Sequence, residues 1–252
     1  MSIKLINKTD TRSSRGILSK AWYKIDGNVV LVKGCTQRGY ESYSEVMVSR
    51  IGRLLGFSCV EYWLEEANLF PDISNYGKKH VSLCRDFLND GELFLSIYRR
   101  GVKSEEKKSI DFWLDYARNT FPKEYLFQLL MLDAIVGNTD RHLNNFGYVV
   151  DIKTSEYRAA PIFDTGASLL AWVDSADLDS KSKMFVYDKS KPFRSKHSKQ
   201  IKLVEEAIKL EHISFEQIIY EISDVLQLLS WKRAQAITDY LKWRCNKYGN
   251  IT

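Results

Sequence analysis

Hydrophobic and polar positions change period several times along the chain. The stretch "AWYKIDGNVVLVKG" (21–34) holds two runs of β-branched and aromatic residues on either side of Asp26-Gly27-Asn28, which predicts a β-hairpin. "YSEVMVSRIGRLLGF" (43–57) then places Val46, Ile51, Leu54 and Leu55 on one helical face, with Gly56 as its C-terminal stop. Strand patterns return in "CVEYWLEEA" (59–67) and "KHVSLCRDFL" (79–88). From about Asp111 the pattern is helical, and "EYLFQLLMLDAIVG" (124–137) is so apolar that it predicts a buried helix ending at Gly137. Two short strand-like pieces, "FGYVVDI" and "YRAAPIF", and a basic irregular stretch follow. Two helices close the chain, the first opened by a Ser214/Gln217 capping box and the second capped by Ser230. The fold class read from this order is α+β with two lobes. A small β-rich lobe with one helix spans residues 1–88, and a larger, mainly helical lobe spans 89–252, the two packing around "NDGE" at 89–92.

Composition narrows the function classes. With 252 residues, 44% apolar and 27% charged, the chain can bury a sizeable core without covalent staples. Cys35, Cys59, Cys84 and Cys245 are far apart and match no zinc spacing, so they read as reduced core residues of a cytoplasmic protein. The first residues, "MSIKLINKTDTRSSRG", have no apolar core fit for a signal peptide, and no later run approaches the roughly 20 apolar residues of a membrane span. No membrane partner is therefore expected. The net charge of +5 is concentrated in 179–202 rather than spread along an aromatic-studded face, which argues against direct nucleic-acid binding. That basic segment either meets an acidic partner or phosphates, or is simply a solvated loop; His197, Lys191, Arg194, Lys196 and Lys199 belong to it.

The candidate chemistry lies in "GNTDRHLNNFG" (137–147) and "PIFDTGASL" (161–169). Phosphoryl transfer requires a carboxylate that orients the incoming hydroxyl and oxygen ligands that hold magnesium against the nucleotide phosphates. Asp140 and Asn145 supply one of each from a single loop. Asp164 would approach the same metal from the second segment, if the two intervening strands form a hairpin. Such a site also needs a strand lysine for the phosphates and a helix glutamate to hold it. Lys33 ends the apolar run "VVLVK", where a buried ammonium needs an anionic partner, and Glu45 stands in the following helix, with Glu41 one turn earlier competing for the pairing.

These residues resemble the HipA-like kinases, bacterial serine/threonine kinases of toxin–antitoxin systems and their stand-alone relatives, which have a protein-kinase-like fold. "TDRHLNNFG" resembles their catalytic loop and "PIFDTGASL" the metal-binding segment that replaces the usual Asp-Phe-Gly. "SSRGILSK" (13–20) resembles the phosphate-covering loop, "SEVMVSRIGRLLGF" the glutamate-bearing helix, and "KPFRSKHSKQ" a segment found after the metal site in small members. The likeness runs in order over roughly residues 13–210. It implies transfer of the γ-phosphoryl group of ATP, with Mg2+, to a serine or threonine of a protein substrate, and an antitoxin as a candidate partner. It also implies Asp140 as the hydroxyl-orienting base, Asn145 and Asp164 as magnesium ligands, Lys33 on the phosphates with Glu45 behind it, and Ser13, Ser14, Gly16 and Lys20 as the phosphate-covering loop. Arg141 and His142 would be structural members of the catalytic loop. A phosphorylated Ser13 would add negative charge where ATP binds and close the site. The chain has no G-x-G-x-x-G loop, only Gly16.

Blander readings exist for each residue. Asp and Asn favour loops for local hydrogen-bonding reasons, a strand-end lysine reaches solvent, and a helix glutamate is commonly solvated. Five positions in the order and type that one chemistry needs outweigh them together. Phosphoinositide-type kinases carry a similar Asp-Arg-His-x-x-Asn loop, so a lipid or small-molecule acceptor remains an alternative, as does a catalytically silent kinase-like binding module. Trp172, after "SLLA", reads as core, and the strand "HVSLCRDFL" as the one that passes the adenine.

Overall fold

The structure, a computed structural model, describes residues 2–6, 18–101, 109–179, 188–204, 213–249 and 251. Strands β1 (Ile3–Ile6), β2 (Lys20–Ile25), β3 (Asn28–Lys33), β4 (Tyr62–Glu66) and β5 (His80–Arg85) form an antiparallel sheet in the order β1-β2-β3-β5-β4. The expected hairpin is β2–β3, in register from Lys20↔Lys33 to Ile25↔Asn28. Its two-residue turn needs left-handed backbone at both positions, which Asp26 (φ +46°) and Gly27 (φ +89°) supply. Helix α1 (Glu41–Leu54) packs under this sheet, and Gly56 (φ +75°) ends it just beyond Leu55.

Beyond Arg85 the chain turns into the second lobe. Strands β6 (Glu92–Ser96), β7 (Gly147–Asp151) and β8 (Tyr157–Ala159) make a small antiparallel sheet, ordered β6-β7-β8, beside helices α2 (Ile97–Gly101), α3 (Ile110–Thr120) and α4 (Lys123–Val136). The β7–β8 hairpin was legible in the sequence. Its partner β6, "ELFLS", was not, because its apolar and polar positions follow the turn residues too briefly to show a period. Helix α4 is buried almost all round, so its apolar side chains carry no polar face. Each fully buried Leu, Ile or Met there stabilises the fold by about 1.5–3 kcal/mol. Gly137 ends α4 in the left-handed region (φ +69°), where a Cβ would also strike the Tyr240 ring.

A short helix α5 (His197–Gln200) precedes α6 (Phe215–Gln227) and α7 (Trp231–Arg244). The Ser214/Gln217 capping box and the Ser230 cap are both formed. The lobes are joined beyond the 86–91 connection: Cys59 pairs with Ile162 in a parallel bridge, Val60 N–H donates to Ile162 O (2.9 Å) and Ile162 N–H to Ser58 O (2.7 Å). Arg50 of α1 also bonds Glu221 O (3.2 Å) and Asp224 of α6. All four cysteines are free, with Cys35, Cys84 and Cys245 buried. Among the described residues no helix is long and apolar enough to cross a membrane.

Two expectations are corrected here. Trp172 is not core: half of it is exposed, and its indole N–H donates to Glu41 Oε1 (2.7 Å), so its polar end decides its place. His197 is neither solvated nor free to meet phosphates, because α5 turns it inward, where it is 1% exposed near the Tyr248 ring.

Candidate active site

Three segments distant in sequence meet at Lys33. Its ammonium pairs with Glu45 of α1 and with Asp164 Oδ1 (2.8 Å), and the Tyr62 ring lies beneath it (5.5 Å to the centroid). Burial alone would strip the proton from Lys33, but Asp164 and Glu45 outweigh it and hold the ammonium charged well above its ordinary range. Burial likewise opposes charge on Asp164, yet Lys33 foremost, with Lys20 and Arg141, keeps its carboxyl below the usual carboxylate range. The competition between the two glutamates is settled by geometry. Glu45 reaches Lys33 and also accepts from Thr165 N (3.1 Å) and Thr165 Oγ1 (3.2 Å). Glu41 instead closes the turn after β3, accepting from Thr36 N (3.1 Å) and Oγ1 (2.7 Å).

The catalytic-loop candidates are stapled to this cluster by Arg141. Its guanidinium makes a two-pronged pair with Asp133 of α4 (Nε 2.9 Å, Nη2 2.8 Å), and its remaining Nη1 donates to Asn145 O (3.1 Å) and Phe163 O (2.6 Å). One side chain thus fixes the residue at 145 and the residue preceding Asp164. Asp164 itself holds left-handed backbone (φ +57°), which costs an L-residue about 1 kcal/mol or more and persists only when neighbours impose it. Ser44 Oγ, donating to Ser168 O (3.0 Å), and Tyr40 N–H, donating to Ala171 O (3.0 Å), tie the start of α1 to the same segment.

Asp140 lies at the solvent edge, its side chain 31% exposed. Its Oδ1 accepts from Lys191 Nζ (2.9 Å), and His142 Nε2 lies 2.9 Å from Oδ2. Asn138 Oδ1 accepts from Asp140 N (3.0 Å), and Asn138 Nδ2 donates to Asp133 Oδ1 (2.8 Å), so the loop hangs from the same buried carboxylate as Arg141.

Asn145 is 6% exposed, and its side-chain amide makes no hydrogen bond among the described residues. A side-chain amide with no protein partner among the described residues, on the loop that Arg141 ties to the segment of Asp164, suits an oxygen-ligated cation. Among the described residues no group of three or more His, Cys, Asp or Glu could hold a metal unaided.

Lys20 sits at the start of β2, in register with Lys33. Ser13, Ser14 and Gly16 lie outside the described residues. Sequence reasoning missed three members of this arrangement: Asp133, Thr165 and Lys191 in its contact with Asp140. Asp133 had a signal, since a lone carboxylate inside "LLMLDAIVG" requires a buried partner. Lys191 had none that sets it apart from its basic neighbours.

Comparison with known proteins bears on this geometry. No family model matches the chain. It is 28% identical over 144 residues to the serine/threonine-protein kinase CtkA of Helicobacter pylori strain J99, a match covering 52% of this chain and 42% of the relative. The matched region thus spans less than half the length of that curated relative. The crystal structure of the H. pylori proinflammatory kinase CtkA superimposes with a TM-score of 0.66 at 17% identity, covering 92% of each chain. The chain has the fold of this kinase. The kinase resemblance read from the sequence is supported by these findings. HipA of Shewanella oneidensis MR-1, in a structure with HipB and operator DNA, is matched over 100% of this chain and 73% of its own, with a TM-score of 0.46 and 12% identity.

Proposed function

We propose that this protein is a kinase that transfers the γ-phosphoryl group of ATP, with Mg2+, to a serine or threonine of a protein substrate. The observation that carries this reading is the Lys33 ammonium held between Glu45 and Asp164, three residues from three segments, charged in a largely buried setting. A strand lysine so placed can hold nucleotide phosphates in a fixed position, and little else in a buried site requires it. Asn145 and Asp164 would hold magnesium. When bound, the ion would neutralise charge on the phosphates and fix their orientation. Asp140, with both oxygens already oriented, would align the acceptor hydroxyl and take its proton. Arg141 keeps the two ligand-bearing segments in register. Ser13, Ser14, Gly16 and Lys20 are proposed to cover the phosphates. The likeness to a serine/threonine kinase supports a protein acceptor over a lipid one.

The test is transfer from γ-labelled ATP with magnesium, comparing wild type with Asp140→Asn, alone and with a cytosolic extract. Label on a discrete protein band that disappears in the variant is the expected result. Nucleotide binding without transfer in either protein would turn the assignment to a silent kinase-like module.

A further inference from the structure

The segment after the metal site is built around one lysine. Residues 188–197 form a closed loop: Lys189 and Lys196 bridge as an antiparallel pair, Ser190 N–H donates to Ser195 O (3.1 Å), Ser190 Oγ to Arg194 O (2.7 Å), and His197 N–H to Asp188 O (3.0 Å). Gln200, 1% exposed, reaches into it from α5. Its Nε2 donates to Lys191 O (2.8 Å) and its Oε1 accepts from Phe193 N and Arg194 N (3.1 Å each). Phe193, equally buried, packs edge-on against Phe146, the neighbour of Asn145 (6.2 Å between centroids). The loop therefore presents Lys191 to Asp140 from a fixed base, and Lys191 Nζ meets Asp140 Oδ1 at 2.9 Å.

An exposed ion pair of this kind contributes little to stability, so stability does not account for so much anchoring. Position does. The acceptor hydroxyl must come within hydrogen-bond reach of Asp140, and the transferring phosphorus must lie just beyond that oxygen. A cation already touching Asp140 lies beside this line. Resting on the kinase reading above, we propose that Lys191 is a catalytic residue, its ammonium bridging Asp140 and the phosphoryl group in flight.

In that step the bond from the γ-phosphorus to the bridging oxygen breaks, its electron pair staying on ADP. A bond forms from the acceptor oxygen to phosphorus, and the hydroxyl proton passes to Asp140. Negative charge spreads over the three equatorial phosphoryl oxygens, and a fixed cation there lowers the barrier. His142, two residues after Asp140, occupies Oδ2 and leaves this task to a lysine from outside the catalytic loop.

The experiment compares wild type, Lys191→Met, Lys191→Arg and, as a neighbour outside the site, Lys199→Met. For Lys191→Met, kcat should fall by about 100-fold or more, with KM for ATP within about threefold of wild type. Lys191→Arg should regain part of the rate, and Lys199→Met should match wild type. Independently of turnover, calorimetry should show ADP with aluminium fluoride and magnesium, a mimic of the phosphoryl in flight, binding Lys191→Met about tenfold or more weakly, while ADP alone binds both proteins equally. A Lys191→Met protein as active as wild type, or faster, overturns the assignment. So does a loss shared by Lys191→Arg with a raised KM, which would mark a structural role. A wild type that transfers no label removes the kinase reading itself, whereas label transferred equally by wild type and Lys191→Met removes only the role of Lys191.

Discussion

Two charge clusters share the interior of this protein, and they are built in opposite ways. At Arg141 and Asp133 both side chains are 0% exposed, and every nitrogen of the guanidinium has an acceptor: the Asp133 carboxylate for two of them, the carbonyls of Asn145 and Phe163 for the third. At Lys33 the ammonium is as deeply buried, but Asp164 retains 26% of its side-chain exposure, and the nearby Asn145 amide has no partner among the described residues. The first cluster is closed and can only hold things in place. The second is left open on one side, where a ligand can complete it. Openness, more than charge or burial, separates the site from its scaffold.

Removing one member of the closed pair should have the largest effect on stability. Arg141→Met leaves Asp133 buried without its cation and two carbonyls without a donor, and should cost about 3–5 kcal/mol by chemical denaturation. Replacing both partners, as Asp133→Leu with Arg141→Met, should recover much of that loss, since no charge remains to be stranded. It should not recover phosphoryl transfer, because the carbonyls of Asn145 and Phe163 would still lack the staple that sets their register.

Lys33→Met tests the open cluster and should cost less, about 1–3 kcal/mol, because Asp164 can take up water through its exposed side and Glu45, although buried, keeps two donors from Thr165. Nucleotide binding should weaken sharply in the same protein, as measured by calorimetry with ATP and magnesium. A stability loss equal to that of Arg141→Met would mean that the second cluster is as closed as the first, and the contrast between them would fall.

Much of this contrast was legible in the sequence, for reasons that differ by residue. Lys33, Glu45 and Asp164 could be anticipated because each stands at a change of pattern: the end of an apolar strand, the opening of an amphipathic helix, the end of a strand before Thr-Gly. The structure brings those three together, and places Asp140 and Asn145 on the loop that Arg141 staples to them. What did not show was contact made by long side chains across segments. Nothing in the local pattern around Lys191 says that it turns back to Asp140, or that Trp172 turns its indole toward Glu41 rather than into the core. Such choices depend on tertiary reach, which has no period. Strand β6 was missed for a related reason, since five residues after a turn are too few to show alternation.

The buried histidine gives a pH-dependent test away from the site. Burial, then the nearby Arg244, hold His197 down at about 3 against an ordinary 6.5, although Asp188 pulls the other way. Between those values the unfolded chain binds a proton that the native protein refuses, so stability is full above pH 6.5 and falls as pH drops toward 3. The slope from this one group approaches about 1.4 kcal/mol per pH unit. His197→Asn should flatten the Tm profile between about pH 6 and pH 4. Asp188 enters only at the acid end of this window, because its carboxyl, buried yet hydrogen-bonded by Ser198 and Tyr248, is held below its ordinary 3.8 in the native protein, so the comparison is read above pH 4.

The smallest effect is expected at Trp172, and its size decides how far the open cluster extends. Glu41 is itself buried, but each of its oxygens keeps a donor from Thr36 when the indole is removed, the backbone N–H on Oε2 and the hydroxyl on Oε1. Trp172→Phe should therefore cost under about 1 kcal/mol, a Tm change of roughly 2–4 °C at most, and leave transfer intact. The start of α1 is tied to the 165–171 segment independently, through Ser44 and Tyr40, so Glu45 should keep its place beside Lys33. If transfer fell instead while Tm held, the Trp172–Glu41 bond would be setting the position of α1. The arrangement that presents Lys33 to a nucleotide would then reach one turn further up the helix than Glu45.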